Sequence, residues 1–282
     1  MAEKMVVTDG AILRTLVAKE VGEALRSRWF LGSALGFGAL ALLIALLGLA
    51  GSGRLGLAGF GRTSAGLVNL VMLITPLMGL VSGATALAGE WERGTLALWL
   101  TQPLSRAQFF LGKTLGLGLA LAGALLAGLG LTGVLLALGG SAGGGGFLAL
   151  LGFTLLLGEA SLAIGLMLST FARRSGMAVG VALLVWLGMV LLGDLGLMGS
   201  ALIAQMPPPL FLGVALLNPL QDFRLGAVLA LGSHLEVLGP VGLYAGDHLG
   251  GAMPFLTAGL LALWIVVPLA IAYWHLARSD AG

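Results

Sequence analysis

Residues 114–139 contain not one charged side chain, and five other stretches of similar length carry at most one Asp, Glu, Lys or Arg. A run of this kind has few solutions. Without water to bond its N–H and C=O groups, a backbone in lipid coils into a helix, and about 20 apolar residues then cross the bilayer core. The six runs are 29–51, 66–89, 114–139, 147–170, 175–197 and 255–276. Only 9% of residues are charged and 59% are hydrophobic, against about a quarter charged in a soluble domain. The fold class that follows is all-α: a polytopic membrane protein whose residues 1–282 form one transmembrane domain. The first run begins after a long charged stretch, unlike the short basic start of a secretory signal, and is expected to be retained. Cysteine is absent, so disulfides and thiolate metal sites are excluded.

Lysine and arginine give the orientation. With six spans, one side holds Lys4, Arg14, Lys19, Arg26, Arg28, Arg93, Arg106, Lys113, Arg173, Arg174 and Arg278, eleven of the 14 basic residues. Arg54, Arg62 and Arg224 fall on the other. The excess predicts that both termini are cytoplasmic. The basic residues are scattered, with no tract interleaved by aromatics, so they read as topology signals and nucleic acid is not an expected partner.

Residues 11–28 place Ile12, Leu13, Leu16, Val17, Val21 and Leu25 on one helical face, with Arg14, Lys19, Glu20, Glu23 and Arg26 on the remainder. Such a helix is expected in the cytoplasmic interface, as an anchor or as a docking element. In the third run, positions 112, 116, 120, 124, 128 and 132 read Gly, Gly, Ala, Ala, Gly, Thr. Small residues at i+4 spacing allow close backbone approach, so this ridge should meet another helix, of the same chain or of a second copy. Glu159 stands near the middle of the fourth run, where it serves a substrate, proton or gating role or is held neutral by a neighbour. Asn69, Thr75 and Pro76 mark a candidate bend in the second run, and Asp194 lies near the outer end of the fifth.

The outer segment, 199–254, is too apolar for a hydrated loop and too interrupted to span. Within it Asn218, Pro219 and Asp222 have the pattern of a helix start: an N-cap, a first-turn proline and an acid at the positive dipole end. A short re-entrant or interfacial helix over 219–231 is predicted, either lining an outer gate, presenting a surface to an external partner or simply adhering to the membrane. Catalytic chemistry is hard to find. Gly112-Lys113-Thr114 ends like a phosphate-binding loop, but the glycine required five residues earlier is Ala107. His234, His248 and His275 have no metal-ligand spacing, and Met198, Met206 and Met253 are too scattered to complete a soft-metal site, so none is assigned.

Residues 90–113, charged and amphipathic, are wedged between the second and third spans. They must sit at the membrane surface, within reach of a soluble partner. Glu90-Trp91-Glu92-Arg93-Gly94-Thr95-Leu96, then Gln102-Pro103-Leu104-Ser105-Arg106 and Leu111-Gly112-Lys113, together with the stretch from Ala18 to Trp29 and the six-span layout, resemble the membrane subunits of ABC-2 type transporters over essentially the whole chain. More narrowly, the stretch Leu216-Leu217-Asn218-Pro219-Leu220-Gln221-Asp222-Phe223-Arg224-Leu225, with Thr75-Pro76-Leu77, is similar to the NosY-type permeases of the system that matures the copper centres of nitrous oxide reductase.

The resemblance implies a homodimer in the bacterial inner membrane, each copy docked to a cytoplasmic ATPase that holds ATP and Mg; this chain would be no enzyme and bind no cofactor. Glu90, Glu92, Arg93, Gly94 and Thr95 would form or position a coupling helix between spans 2 and 3, with Leu98 and Trp99 as apolar anchors. The N-terminal helix, with Lys19, Glu20, Arg26 and Arg28, would brace it. Asn218, Asp222 and Arg224 would face a periplasmic copper-handling protein, in which case motion, not substrate, crosses the membrane. Export of a lipid or hydrophobic small molecule is the alternative, and an ion-coupled transporter using Glu159 a third. Relatives often carry an acid five positions before Glu90; here that position is Thr85, and no role tied to that acid carries over.

Overall fold

Each of the six apolar runs is a helix in the computed structural model, which describes residues 9–55, 57–95, 104–139, 144–198, 208–231 and 250–278. The spanning stretches are Arg28–Ala50, Thr63–Glu92, Arg106–Leu138, Gly145–Phe171, Ser175–Gly193 and Met253–Arg278. They lie in helices α2 (Arg28–Leu55), α3 (Leu57–Glu92), α4 (Arg106–Leu138), α5 (Gly144–Phe171), α6 (Ser175–Met198) and α9 (Met253–Arg278). Before them comes α1 (Asp9–Arg26); between α6 and α9 come α7 (Pro208–Ala215) and α8 (Pro219–Ala230). No strand occurs among the described residues.

Glycine decides which backbones touch. Lipid supplies no hydrophobic drive between helices, so association depends on how closely they pack. The most extensive contact is α3 on α5. A Cβ at Gly79 would stand 2.7 Å from the Gly158 carbonyl oxygen and 2.9 Å from Leu162 N; one at Gly83 would stand 2.6 Å from Leu166 N. From the other side, a Cβ at Gly165 would overlap the Leu80 carbonyl. Alongside, Leu80, Ala84, Ala88, Ile164, Ala178 and Ala182 bring α6 onto the same pair. Pro76 sits inside α3 and the helix runs on through it, while one turn earlier the Leu73 carbonyl accepts from Trp186 Nε1 of α6 at 3.1 Å.

The small-residue ridge of α4 is filled within the chain. Gly112 meets Leu16, Gly116 meets Glu20 and the Val17 carbonyl, and Gly128 meets Phe37 and Gly38; Thr132 is buried, its hydroxyl donating to the Gly128 carbonyl at 2.8 Å. Residue numbers on α1 and α4 rise together, so the two helices run parallel. The apolar stripe of α1 is thus met by α4, with Leu16, Glu20 and Ala24 buried at i+4 steps. Helix α1 stops at Ser27, whose Oγ accepts from Phe30 N at 3.4 Å as α2 begins. Arg28 therefore opens the first span and does not belong to the N-terminal helix, a correction to the expected 11–28 boundary. Helices α3 and α4, 36 and 33 residues, extend about 54 and 50 Å at 1.5 Å per residue, well beyond the roughly 30 Å hydrocarbon core.

Helix α8 matches the outer helix expected over 219–231. Asn218 is its N-cap, accepting from Leu220 N at 3.0 Å, Pro219 occupies the first turn, and Leu231 is the C-cap. It is wedged among α3, α5, α6 and α9. Near its C-terminus Ala230 and Leu231 lie by Gly146; further in, Gly226 meets Phe153 and Thr257, and Asn218 Nδ2 donates to the Met189 carbonyl at 2.7 Å. Burial corrects one expectation. Asp222 is wholly enclosed, and neither carboxylate oxygen has a hydrogen-bond partner, so it does not present itself to an external protein. Arg224 and Asn218 are half-buried. An enclosed carboxylate without partners is costly, so Asp222→Asn should raise the unfolding temperature of the purified protein, by about 2–4 °C per kcal/mol gained. A fall on thermal denaturation would refute that reading.

Candidate functional site

The site lies where α3 ends. Glycine 94 takes φ +68°, the left-handed conformation that ends helices and that other residues adopt at a cost. Its N–H bonds the Trp91 carbonyl at 3.1 Å and Arg93 N bonds the Gly89 carbonyl at 3.2 Å, closing the last turn. The chain then folds back, and the Thr95 hydroxyl donates to Glu90 Oε2. Physically, then, glycine and threonine follow the acid because one turns the chain and the other returns a donor to it.

Glu90 points inward and is 3% exposed. Facing it is Lys113 of α4, 4% exposed, whose Nζ stands 3.4 Å from Glu90 Oε1 and 3.0 Å from both carboxylate oxygens of Glu20 on α1. Lys19 bonds Glu20 at 3.1 Å and Glu23 at 3.0 Å, and Arg93 reaches Glu90 at 3.7 Å. Glycines 112 and 116 flank Lys113 and admit α1: a Cβ at 116 would stand 2.5 Å from Glu20 Cβ. One ammonium therefore joins three helices, and removing it takes the central cation from two buried carboxylates.

Further bonds tie this end to the other helices. Glu92 Oε2 accepts from Ser175 N at 3.0 Å, fastening α3 to the start of α6, and Arg173 stands 5.8 Å over the Trp91 ring. Ser169 Oγ on α5 accepts from Leu87 N and Ala88 N of α3, at 2.8 and 2.7 Å. At the start of α4, Ser105 and Gln108 form a reciprocal capping box. Arg106 donates to the carbonyls of Leu276 and Ala277, at 3.3 and 2.6 Å, capping the end of α9.

These bonds account for the spacing of the charged string. A model of the ABC-2 family transporter proteins matches residues 14–281. This chain belongs to the ABC-2 transporter family. It is 37% identical over 269 residues to a probable ABC transporter permease protein NosY of Pseudomonas aeruginosa, covering 93% of this chain and 96% of that one. A protein of the same description from Stutzerimonas stutzeri is 37% identical over 265 residues, covering 92% and 95%. The six-helix ABC-2 layout and the NosY-like permease character are thereby shown.

Within this ABC-2 permease the expected coupling residues divide. Glu92, Arg93 and Gly94 are exposed, Thr95 is half-buried and Glu90 is enclosed, so Glu90 positions the segment from inside. Leu98 and Trp99 lie outside the described residues. Lys19 and Arg26 belong to α1, and Glu20, expected on its polar face, is buried against Lys113. Glu159 takes no part in the ion cluster: half-buried on α5, it points at α4 where Gly118 leaves room, its Oε2 2.7 Å from where a Cβ would stand. Sequence reasoning places Lys113 and Arg106 in the charged string and among the topology signals without naming their partners, and it does not single out Ser169. The signal for the first was present in the glycines on either side of it and in Leu16, Glu20 and Ala24 at helical spacing.

Proposed function

We propose that this permease couples ATP hydrolysis by a separate cytoplasmic ATPase to a conformational change across the bacterial inner membrane, in a complex with a second copy of itself and with both termini cytoplasmic. We further infer that the motion acts on a periplasmic copper-handling protein that serves nitrous oxide reductase maturation. The observation that carries the coupling role is the Lys113 tie. A partner pressing on the exposed turn at residues 92–94 moves Glu90, and through Lys113 and Glu92 that displacement reaches α1, α4 and α6 together. The copper partner rests on the resemblance to NosY-type permeases.

The test is purification with the ATPase from native membranes, followed by reconstitution. Glu92→Ala and Arg93→Ala should reduce permease-dependent ATPase activity roughly tenfold, the equivalent of about 1.4 kcal/mol of lost contact, with folding retained because both side chains are exposed. Wild-type hydrolysis and partner association in both variants would remove the coupling assignment. Mass spectrometry of the native complex separates the two functions: a periplasmic copper-binding protein is expected, and an ATPase alone would favour export of a hydrophobic molecule.

A further inference from the structure

Beside the ion cluster, between the end of α1, the start of α2, and facing parts of α3 and α4, lies a cavity of about 220 Å³. The buried Lys113 and Glu20 that line it are already paired with each other. The walls carry the hydroxyl residues Ser82 and Thr85. At the mouth stand Glu23 on α1 and Arg93 on α3, with side chains 55% and 63% exposed, and beside them Trp29, the second residue of the first span. The ion-paired side chains in and beside the cleft balance: Lys19, Lys113 and Arg93 against Glu20, Glu23 and Glu90.

We propose that this cleft binds the headgroup of a cytoplasmic-leaflet phospholipid carrying both a phosphodiester and a primary ammonium, that is, a phosphatidylethanolamine. An anion alone would be repelled by Glu23 and a cation alone by Arg93, whereas one molecule with both charges meets both. Arg93 supplies the planar donor fork that suits a phosphate. Glu23, although paired with Lys19, keeps acceptor sites, since a carboxylate has about four. A primary ammonium donates hydrogen bonds to it; a quaternary one would need an aromatic cage, and of the two rings at the cleft Phe30 is buried. Depth identifies the source. Arg93 directly follows the last residue of the second span and Trp29 is near the start of the first, the level at which headgroups and interfacial aromatics sit. Exposed Leu25 and Leu31 on either side of Trp29 offer apolar surface to the acyl chains. A lipid held here bridges α1 to the turn at residues 92–94. This inference does not depend on the copper reading.

The experiment is native mass spectrometry of the whole complex after equilibration in nanodiscs of phosphatidylethanolamine with phosphatidylglycerol, and in parallel discs with phosphatidylcholine. The wild type should retain phosphatidylethanolamine selectively. Glu23→Gln should lower that retention by up to about fivefold, the upper worth of one exposed ion pair, and should not lower phosphatidylglycerol retention. Ser82→Phe, which fills the cleft, should abolish it; should that variant fail to fold, Glu23→Gln alters only a surface group and decides alone. Equal retention of the three lipids, or wild-type retention in the variants, would overturn the proposal. Soluble O-phosphoethanolamine binding as tightly as the lipid would overturn the membrane source.

Discussion

Lys113→Met should cost the protein about 3–5 kcal/mol, the usual result of removing one partner from a buried ion cluster, and lower its unfolding temperature by about 10 °C. Glu20 and Glu90 are both less than a tenth exposed, so neither carboxylate can recover its hydration in place. Differential scanning fluorimetry of the detergent-purified protein would measure the loss. The informative companion is the triple variant Glu20→Gln, Lys113→Met, Glu90→Gln, in which the charges leave together. Replacing a whole buried ionic group with neutral side chains is often harmless to stability, so most of the melting temperature should return. Coupling should not return with it, because the segment at 90–95 is then no longer held to α1 and α4 by charge. Full ATPase stimulation in the triple variant would show that the cluster stabilises and does not transmit.

Gly83→Leu and Gly165→Leu should each leave almost no folded protein in the membrane. At both positions an added Cβ meets backbone atoms of the facing helix, and backbone cannot rotate aside as a flexible side chain can. Separating α3 from α5 loses the largest helix contact in the bundle, at a cost above the ordinary 1–3 kcal/mol of overpacking. Gly123→Leu is the control, since a Cβ there meets nothing within 4 Å. Western blotting of membranes together with size-exclusion profiles reads the difference. Comparable yields from all three variants would show that α3 and α5 do not approach as closely as their glycines indicate.

Much of the architecture was legible because lipid is an undemanding reader: length and absence of charge suffice, and all six runs became helices. The start of α8 was legible for a local reason, as an Asn-Pro pair both caps and opens a helix whatever surrounds it. Glycine spacing in α4 likewise named the packed face, although it was structure that showed α1 and α2 filling it. The ion cluster resisted for the opposite reason. Glu20 and Lys113 are 93 positions apart, and a charged residue on an amphipathic helix is assigned to solvent unless its partner is known. Lys113 was read as a topology signal, which its position also satisfies. Asp222 escaped similarly: its place in the first turn explains its choice of helix end but says nothing of what covers it.

The contact between Arg106 and the end of α9 carries a consequence in time. During synthesis α1 can find Lys113 as soon as α4 emerges, but the carbonyls of Leu276 and Ala277 that Arg106 caps belong to α9 and follow 170 and 171 residues later. That end of the bundle is therefore closed only once α9 has been made.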